Sequence, residues 1–287
     1  MANLPLTDEQ RSRLNHVRAA PHNINLAHFP DFLIVGPQRT GTTWLHAVLR
    51  EHPEVFLSEP KEIFYFSRLK TPELDKFESA DLDWYLRFFD EKFAYWVYKQ
   101  AMALRRHGRF YRARSRGEAT ASYAAIDPDV IEEIVVLKPD VKVIMMVRNP
   151  VERAWSHAKK DLSRNRSRPL GEVAESEFHE FFRDDYQLRC ANYDRCIENW
   201  SAHLRPGHLL VGRFEDVANR PRELFLEACR FIGVSDSDRY VPESVAEVIN
   251  PTAQSPVPEK HRLYLEGLLA DELAAWRERF ADPAEQS

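Results

Sequence analysis

Short apolar runs alternate along this chain with stretches whose apolar residues recur every three or four positions. Phe32-Leu33-Ile34-Val35 reads as a buried strand, ended by Gly36-Pro37. Trp44, Leu45, Val48 and Leu49 then fall on one helical face, and Pro53 marks that helix as finished. Val55-Phe56-Leu57 is a short strand. Asp127-Pro128 has the form of a helix start, with Asp as N-cap, Pro in the first turn and Ile131, Ile134 and Val135 behind them. Pro139-Asp140 breaks that helix, and Val141 to Val147 (VKVIMMV) is the strongest strand pattern of all. Asn149-Pro150 opens the next helix by the same device. Leu209 to Phe214 predicts a further strand, and Arg222 to Ile232 a helix.

Strands alternating with helices predict a parallel sheet with right-handed crossovers, hence a three-layer α/β/α fold. A run as apolar as VKVIMMV suits a central strand covered on both faces. No internal repeat or low-complexity linker divides the chain. We therefore expect one domain over residues 1–287, with its motif-bearing core at about 31–235 and a C-terminal loop and helix over 236–287. The polar stretches at about 68–116 and 160–185 are expected to form helices and loops on the substrate side. Asn250 to Lys260, rich in proline, reads as an extended loop.

Composition narrows the class. The 287 residues are 44% hydrophobic and 30% charged, ordinary for a globular protein. A net charge of −5 argues against a general nucleic-acid binder. Cys190, Cys196 and Cys229 form no CxxC pair and no even disulfide framework, which favours a reducing compartment. The polar N-terminus lacks the apolar segment of a secretory leader, and no apolar run nears the roughly 18 residues of a membrane span. We expect a cytoplasmic protein. The eleven histidines show no HExxH or clustered spacing, so no metal is called for. Oligomeric state is open.

The first strand runs into Gly36-Pro37-Gln38-Arg39-Thr40-Gly41-Thr42-Thr43, and a helix follows at once. Strand, glycine-bearing loop and helix make an anion site, where backbone N–H groups and the positive helix end converge on a phosphate. The glycines match the spacing of the nucleoside triphosphatase pattern GxxxxGK[ST], but its lysine position holds Thr42 and the cation sits inside the loop, at Arg39. A kinase also needs an acidic strand end for Mg²⁺. Here the second strand ends in Val147-Arg148-Asn149. GPQRTGTTWL resembles the 5′-phosphosulfate loop of sulfotransferases that use 3′-phosphoadenosine 5′-phosphosulfate (PAPS). That resemblance implies a P-loop-like fold in which Arg39 contacts the phosphosulfate and Thr40, Gly41, Thr42 and Thr43 supply donors.

An arginine leaving a strand at the top of a parallel sheet points into the ligand crevice. Its guanidinium can grip a phosphate with two hydrogen bonds. VKVIMMVRNPVERAWSH places Ser156 eight positions after Arg148, which resembles the family's 3′-phosphate site. Transfer to an acceptor hydroxyl or amine also needs a base. Glu59-Pro60-Lys61-Glu62-Ile63-Phe64-Tyr65-Phe66 resembles the KE-x-x-(F/Y)F element of glycosaminoglycan-type and bacterial members, whose glutamate is the proposed base. This implies Glu62 as base and Lys61 and Arg39 as charge stabilisers, with Glu59 as the competing carboxylate. Gly117 to Tyr123 resembles the family's GE-x-TP-x-Y element, with Ala119 where glycosaminoglycan enzymes often carry a lysine. The resemblance implies sulfuryl transfer to a carbohydrate or small metabolite. Against it stand a P-loop kinase and a nucleotide-binding protein without catalysis. Six arginines between Arg105 and Arg116 read as a solvated face or as an attractor for an anionic acceptor.

Overall fold

In the computed structural model, residues 4–19, 24–73, 75–247 and 256–280 are described. Among these the apolar runs form a five-stranded sheet of β1 (Phe32–Val35), β2 (Val55–Leu57), β3 (Ser115–Ala119), β4 (Lys142–Val147) and β5 (Leu209–Arg213). The order is β2-β3-β1-β4-β5 and every pairing is parallel. Helices of seven residues or more are numbered here α1 (Thr42–Glu51), α2 (Phe93–His107), α3 (Pro128–Leu137), α4 (Pro150–Ala158), α5 (Glu175–Arg183) and α6 (Asp185–Ala191). They continue with α7 (Tyr193–His203), α8 (Pro221–Ile232), α9 (Glu259–Leu268) and α10 (Ala270–Phe280).

The three layers follow from the two-residue period of the strands. Leu33, Val35, Val143, Met145 and Val147 point to one face and pack with Ile131 and Ile134 of α3 and Trp200 of α7. Phe32, Ile34, Ile144 and Met146 point to the other, against Trp44, Leu45 and Val48 of α1 and Leu224, Phe225 and Ala228 of α8. A third cluster ties α4 to α5, α9 and α10 through residues such as Trp155, Phe178, Leu265 and Leu273.

β3 was not legible as a strand. Its residues, Ser-Arg-Gly-Glu-Ala, are mostly polar, yet all five are buried between β1 and β2. Arg116 places its guanidinium 5.1 Å over the Phe56 ring and donates to the Phe89 carbonyl at 3.2 Å. The basic run from Arg105 therefore belongs to no single solvated face. It begins on α2 and ends inside the sheet. Likewise α2 packs beside Arg50 and His52, at the N-terminal end of β2 and away from the strand ends that carry the motifs. The proline-rich loop falls partly at 250–255, outside the described residues, and Lys260 already lies within α9.

Candidate active site

β1 ends where Gly36 adopts φ 142°. A Cβ there would lie 2.5 Å from the Met146 carbonyl oxygen and 2.8 Å from Thr40 Oγ1, so only glycine lets the loop fold against β4. Arg39 (φ 80°) and Gly41 (φ 97°) then turn the chain through left-handed conformations, which for arginine is strained. Buried Thr40 donates its hydroxyl to the Pro37 carbonyl at 2.8 Å and braces the turn. No side chain caps α1 at Gly41, so the N–H groups of its first turn remain available to an anion.

Arg148 leaves the end of β4 and packs 4.3 Å over the Phe214 ring. Its Nη1 donates to the Arg39 carbonyl at 3.4 Å. Buried Ser156, two turns into α4, accepts from Arg39 Nε at 2.9 Å. The two motifs thus meet in space. Beyond Ala158 the helix widens into a π-turn over Lys159–Ser163, a distortion common at functional sites, and this carries Lys159 and Lys160 to the same region.

The electrostatics of this group are those of an anion site. Burial holds the pKa of Arg39, Arg148, Lys159 and Lys160 below their ordinary values. Mutual repulsion adds to burial: Arg148 and Arg164 act on Arg39, Arg148 and Arg39 on Lys159, and Arg39 on Lys160. Glu152 and Glu215 offset part of this at Arg148. Partly desolvated cations that repel one another gain strongly from a multiply charged anion among them.

Glu62 follows β2, and its side chain is 20% exposed. Its Oε1 accepts from Ala121 N and from Lys61 Nζ, both at 3.3 Å. The same segment is clamped twice more, by Ile63 N donating to Thr120 Oγ1 at 3.1 Å and Phe66 N to the Tyr123 hydroxyl at 3.2 Å. Thr120 donates in turn to Glu118 Oε1 at 2.6 Å, and Tyr85 to Glu118 Oε2 at 2.5 Å. Burial, with a smaller push from Glu62, raises the Glu118 pKa to about 7. The polar strand β3 and the turn after it therefore hold the Glu62 segment in place. Glu59, by contrast, ion-pairs with Arg50 and is half exposed.

A cleft of about 540 Å³ opens beside the loop, with Gln38, Glu62, Phe64, Arg68, Lys76 and Lys160 in its wall. Lys61 is not among the side chains that line it. Lys160 is, and it is coupled electrostatically to both Glu62 and Arg39. Nothing in the sequence pattern sets it apart from its basic neighbours Lys159 and Arg164. His157 also lines the cleft, and no histidine had been singled out. Its Nδ1 lies 3.0 Å from Gln187 Oε1, and burial with Arg153 nearby lowers its pKa to about 3, so the ring is neutral. Adjacency to Ser156 was the available signal.

Fold and site together define an α/β protein with a cationic, anion-binding type of site at the carboxyl edge of a parallel sheet. The model of the sulfotransferase family matches residues 30–238, and the chain belongs to that family. It is 27% identical over 154 residues to the membrane-associated sulfotransferase kil1 of Dictyostelium discoideum, covering 53% of this chain and 28% of that protein. Over 225 residues it is 26% identical to the human bifunctional heparan sulfate N-deacetylase/N-sulfotransferase 2, covering 74% of this chain and 23% of that protein. The chain thus spans under a third of either relative. A crystal structure of a sulfotransferase from Alicyclobacillus acidocaldarius shares the fold, with a TM-score of 0.60 at 24% identity over 87% of this chain and 94% of that one.

Proposed function

We propose that this chain transfers a sulfuryl group from PAPS to a hydroxyl or amine of a carbohydrate or small polar metabolite. The observation that carries the proposal is the convergence of Arg39, Arg148, Lys159 and Lys160 on a loop whose helix end is uncapped. Two phosphate-binding elements joined by the Arg39–Ser156 hydrogen bond suit a nucleotide phosphorylated at both its 3′ and 5′ positions. In this reading Arg39 with Thr40, Gly41, Thr42 and Thr43 holds the 5′-phosphosulfate, and Arg148 with Ser156 holds the 3′-phosphate.

Glu62 takes the proton of the acceptor. The acceptor oxygen or nitrogen then bonds to sulfur, while the bond from sulfur to the bridging phosphate oxygen breaks and 3′-phosphoadenosine 5′-phosphate departs. Arg39 and Lys160 stabilise the charge that gathers on that oxygen, and Lys61 holds the Glu62 carboxylate through its 3.3 Å hydrogen bond. The charged and amide side chains of the cleft, with Phe64 in its wall, suit a hydroxyl-rich acceptor better than an apolar one. All three cysteines are buried free thiols, which accords with a reducing, cytoplasmic setting. No described helix is long and apolar enough to cross a membrane. Packing of α9 and α10 against α4 supports a single domain over the whole chain.

Thermal melts with candidate ligands test the reading. The bisphosphate product should raise the melting temperature, and ATP with Mg²⁺ much less, because only a ligand that fits the native site stabilises it. Equal shifts would favour a kinase. A bisphosphate shift without transfer to any acceptor tried would favour a binding protein without catalysis.

A further inference from the structure

Helix α2 turns large apolar side chains to solvent and buries a lysine. An ordinary helix of a folded domain turns apolar residues inward. Here the inward face carries Lys99, 4% exposed, whose Nζ donates to the carbonyl oxygens of Arg50 and His52. Ala103 and Tyr95 also pack inward, and Gln100 binds both the carbonyl and the N–H of Tyr111, at 2.8 and 3.1 Å. Phe93, Trp96, Val97 and Leu104 point outward, at 79%, 42%, 44% and 45% exposure. At the helical repeat these four fall within a sector of about 100°. The Phe93 and Trp96 rings stack at 6.0 Å, and Phe110, 72% exposed, extends the patch beyond the helix. Six of the eight exposed large apolar side chains among the described residues lie between 93 and 110, so this is a patch and not scatter.

Charge identifies what the patch fits. From Lys92 to Arg116 the chain holds eight Lys and Arg residues and no Asp or Glu. Arg106 pairs with Glu51, Arg109 and Arg114 reach Glu54, and Lys99 and Arg116 are buried. Lys92, Arg105 and Arg112 are exposed, and no acidic group stands within ion-pair distance of them among the described residues. A second copy docked about a two-fold axis would set these cations against themselves. Outward aromatic and aliphatic side chains flanked by Lys and Arg are instead the chemistry of a helix lying in an anionic lipid interface.

We propose that α2 and the turn to Phe110 form a docking face for an anionic phospholipid surface. With the rest of the molecule net negative, this face also sets the orientation of approach. Because α2 sits at the N-terminal end of β2, docking leaves the cleft at the opposite strand ends open. The proposal is independent of the catalytic reading.

Cosedimentation with phosphatidylcholine vesicles, with and without phosphatidylserine, tests it. We expect binding to the anionic vesicles at least about tenfold tighter than to neutral ones, falling as salt is raised. Phe93→Ser with Trp96→Ser should lose this binding by about tenfold or more while melting as wild type, since both side chains are exposed. Val97→Ser with Leu104→Ser gives an independent reading of the same face. Arg105→Gln with Arg112→Gln should reduce the preference for phosphatidylserine. Absence of binding to anionic vesicles overturns the proposal, as does undiminished binding by both serine pairs. Self-association in sedimentation equilibrium that Phe93→Ser abolishes would assign the face to a second copy instead.

Discussion

Arg39 Nε donates a hydrogen bond of 2.9 Å to Ser156 Oγ, joining two motifs that lie 117 residues apart in the chain. The bond fixes the strained loop arginine against α4. It also links the proposed 5′ and 3′ phosphate sites.

Arg148→Ala should weaken binding of 3′-phosphoadenosine 5′-phosphate by roughly ten- to hundredfold, the worth of a charged hydrogen bond. The 3′-phosphate does not react, so the rate at saturating PAPS should change much less. Calorimetric titration measures the first effect. An unchanged dissociation constant in a folded variant would remove Arg148 from the nucleotide site.

Glu62→Gln keeps size and polarity but loses the basic carboxylate. Single-turnover transfer at saturating PAPS should fall by about 10²–10⁴-fold, with bisphosphate affinity near wild type. Glu59→Gln should cost far less, because Glu59 ion-pairs with Arg50 and stays outside the cleft wall. The reverse ranking would identify Glu59 as the base. Near-normal rates in both variants would turn attention to His157, whose neutral ring already lines the cleft.

Lys160→Met should slow transfer by about 10²–10³-fold, the range for removing a preorganised group that stabilises transition-state charge. Lys61→Met should slow it less, since that ammonium contacts Glu62 and not the cleft. Single-turnover rates of the two variants compared side by side decide which lysine serves the reaction.

Glu118 makes stability depend on pH. Its folded pKa, about 7, lies above the ordinary 4.5, so between these values the folded state holds a proton that the unfolded state has released. Stability should therefore fall as pH rises from about 4.5 to 7 and level off above, by a total on the order of 3 kcal/mol. Glu118→Gln should flatten this part of the curve in urea melts across pH. A slope that persists in the variant would place the titration elsewhere.

What the sequence determined by itself was local and periodic. Apolar runs are their own evidence for buried strands, and β1, β2, β4 and β5 appear within a residue or so of where the runs lie. The loop and the Arg148–Ser156 pair were equally legible, because strand, glycines and helix caps are encoded within a few adjacent positions. Tertiary structure decided whatever depends on partners distant in the chain. Ser-Arg-Gly-Glu-Ala has no apolar pattern, and it becomes a strand because Phe56, Phe89, Tyr85 and Thr120 satisfy its polar groups. Lys160 and Lys61 look alike in one dimension, yet only the π-turn after α4 brings one of them to the cleft. In α2 a lysine is buried and large apolar side chains are exposed, and Lys99 can be buried because it finds two carbonyl acceptors at the C-terminal end of α1. Periodicity records which side chains share a face, whereas burial of a polar group depends on whether distant atoms supply its hydrogen bonds.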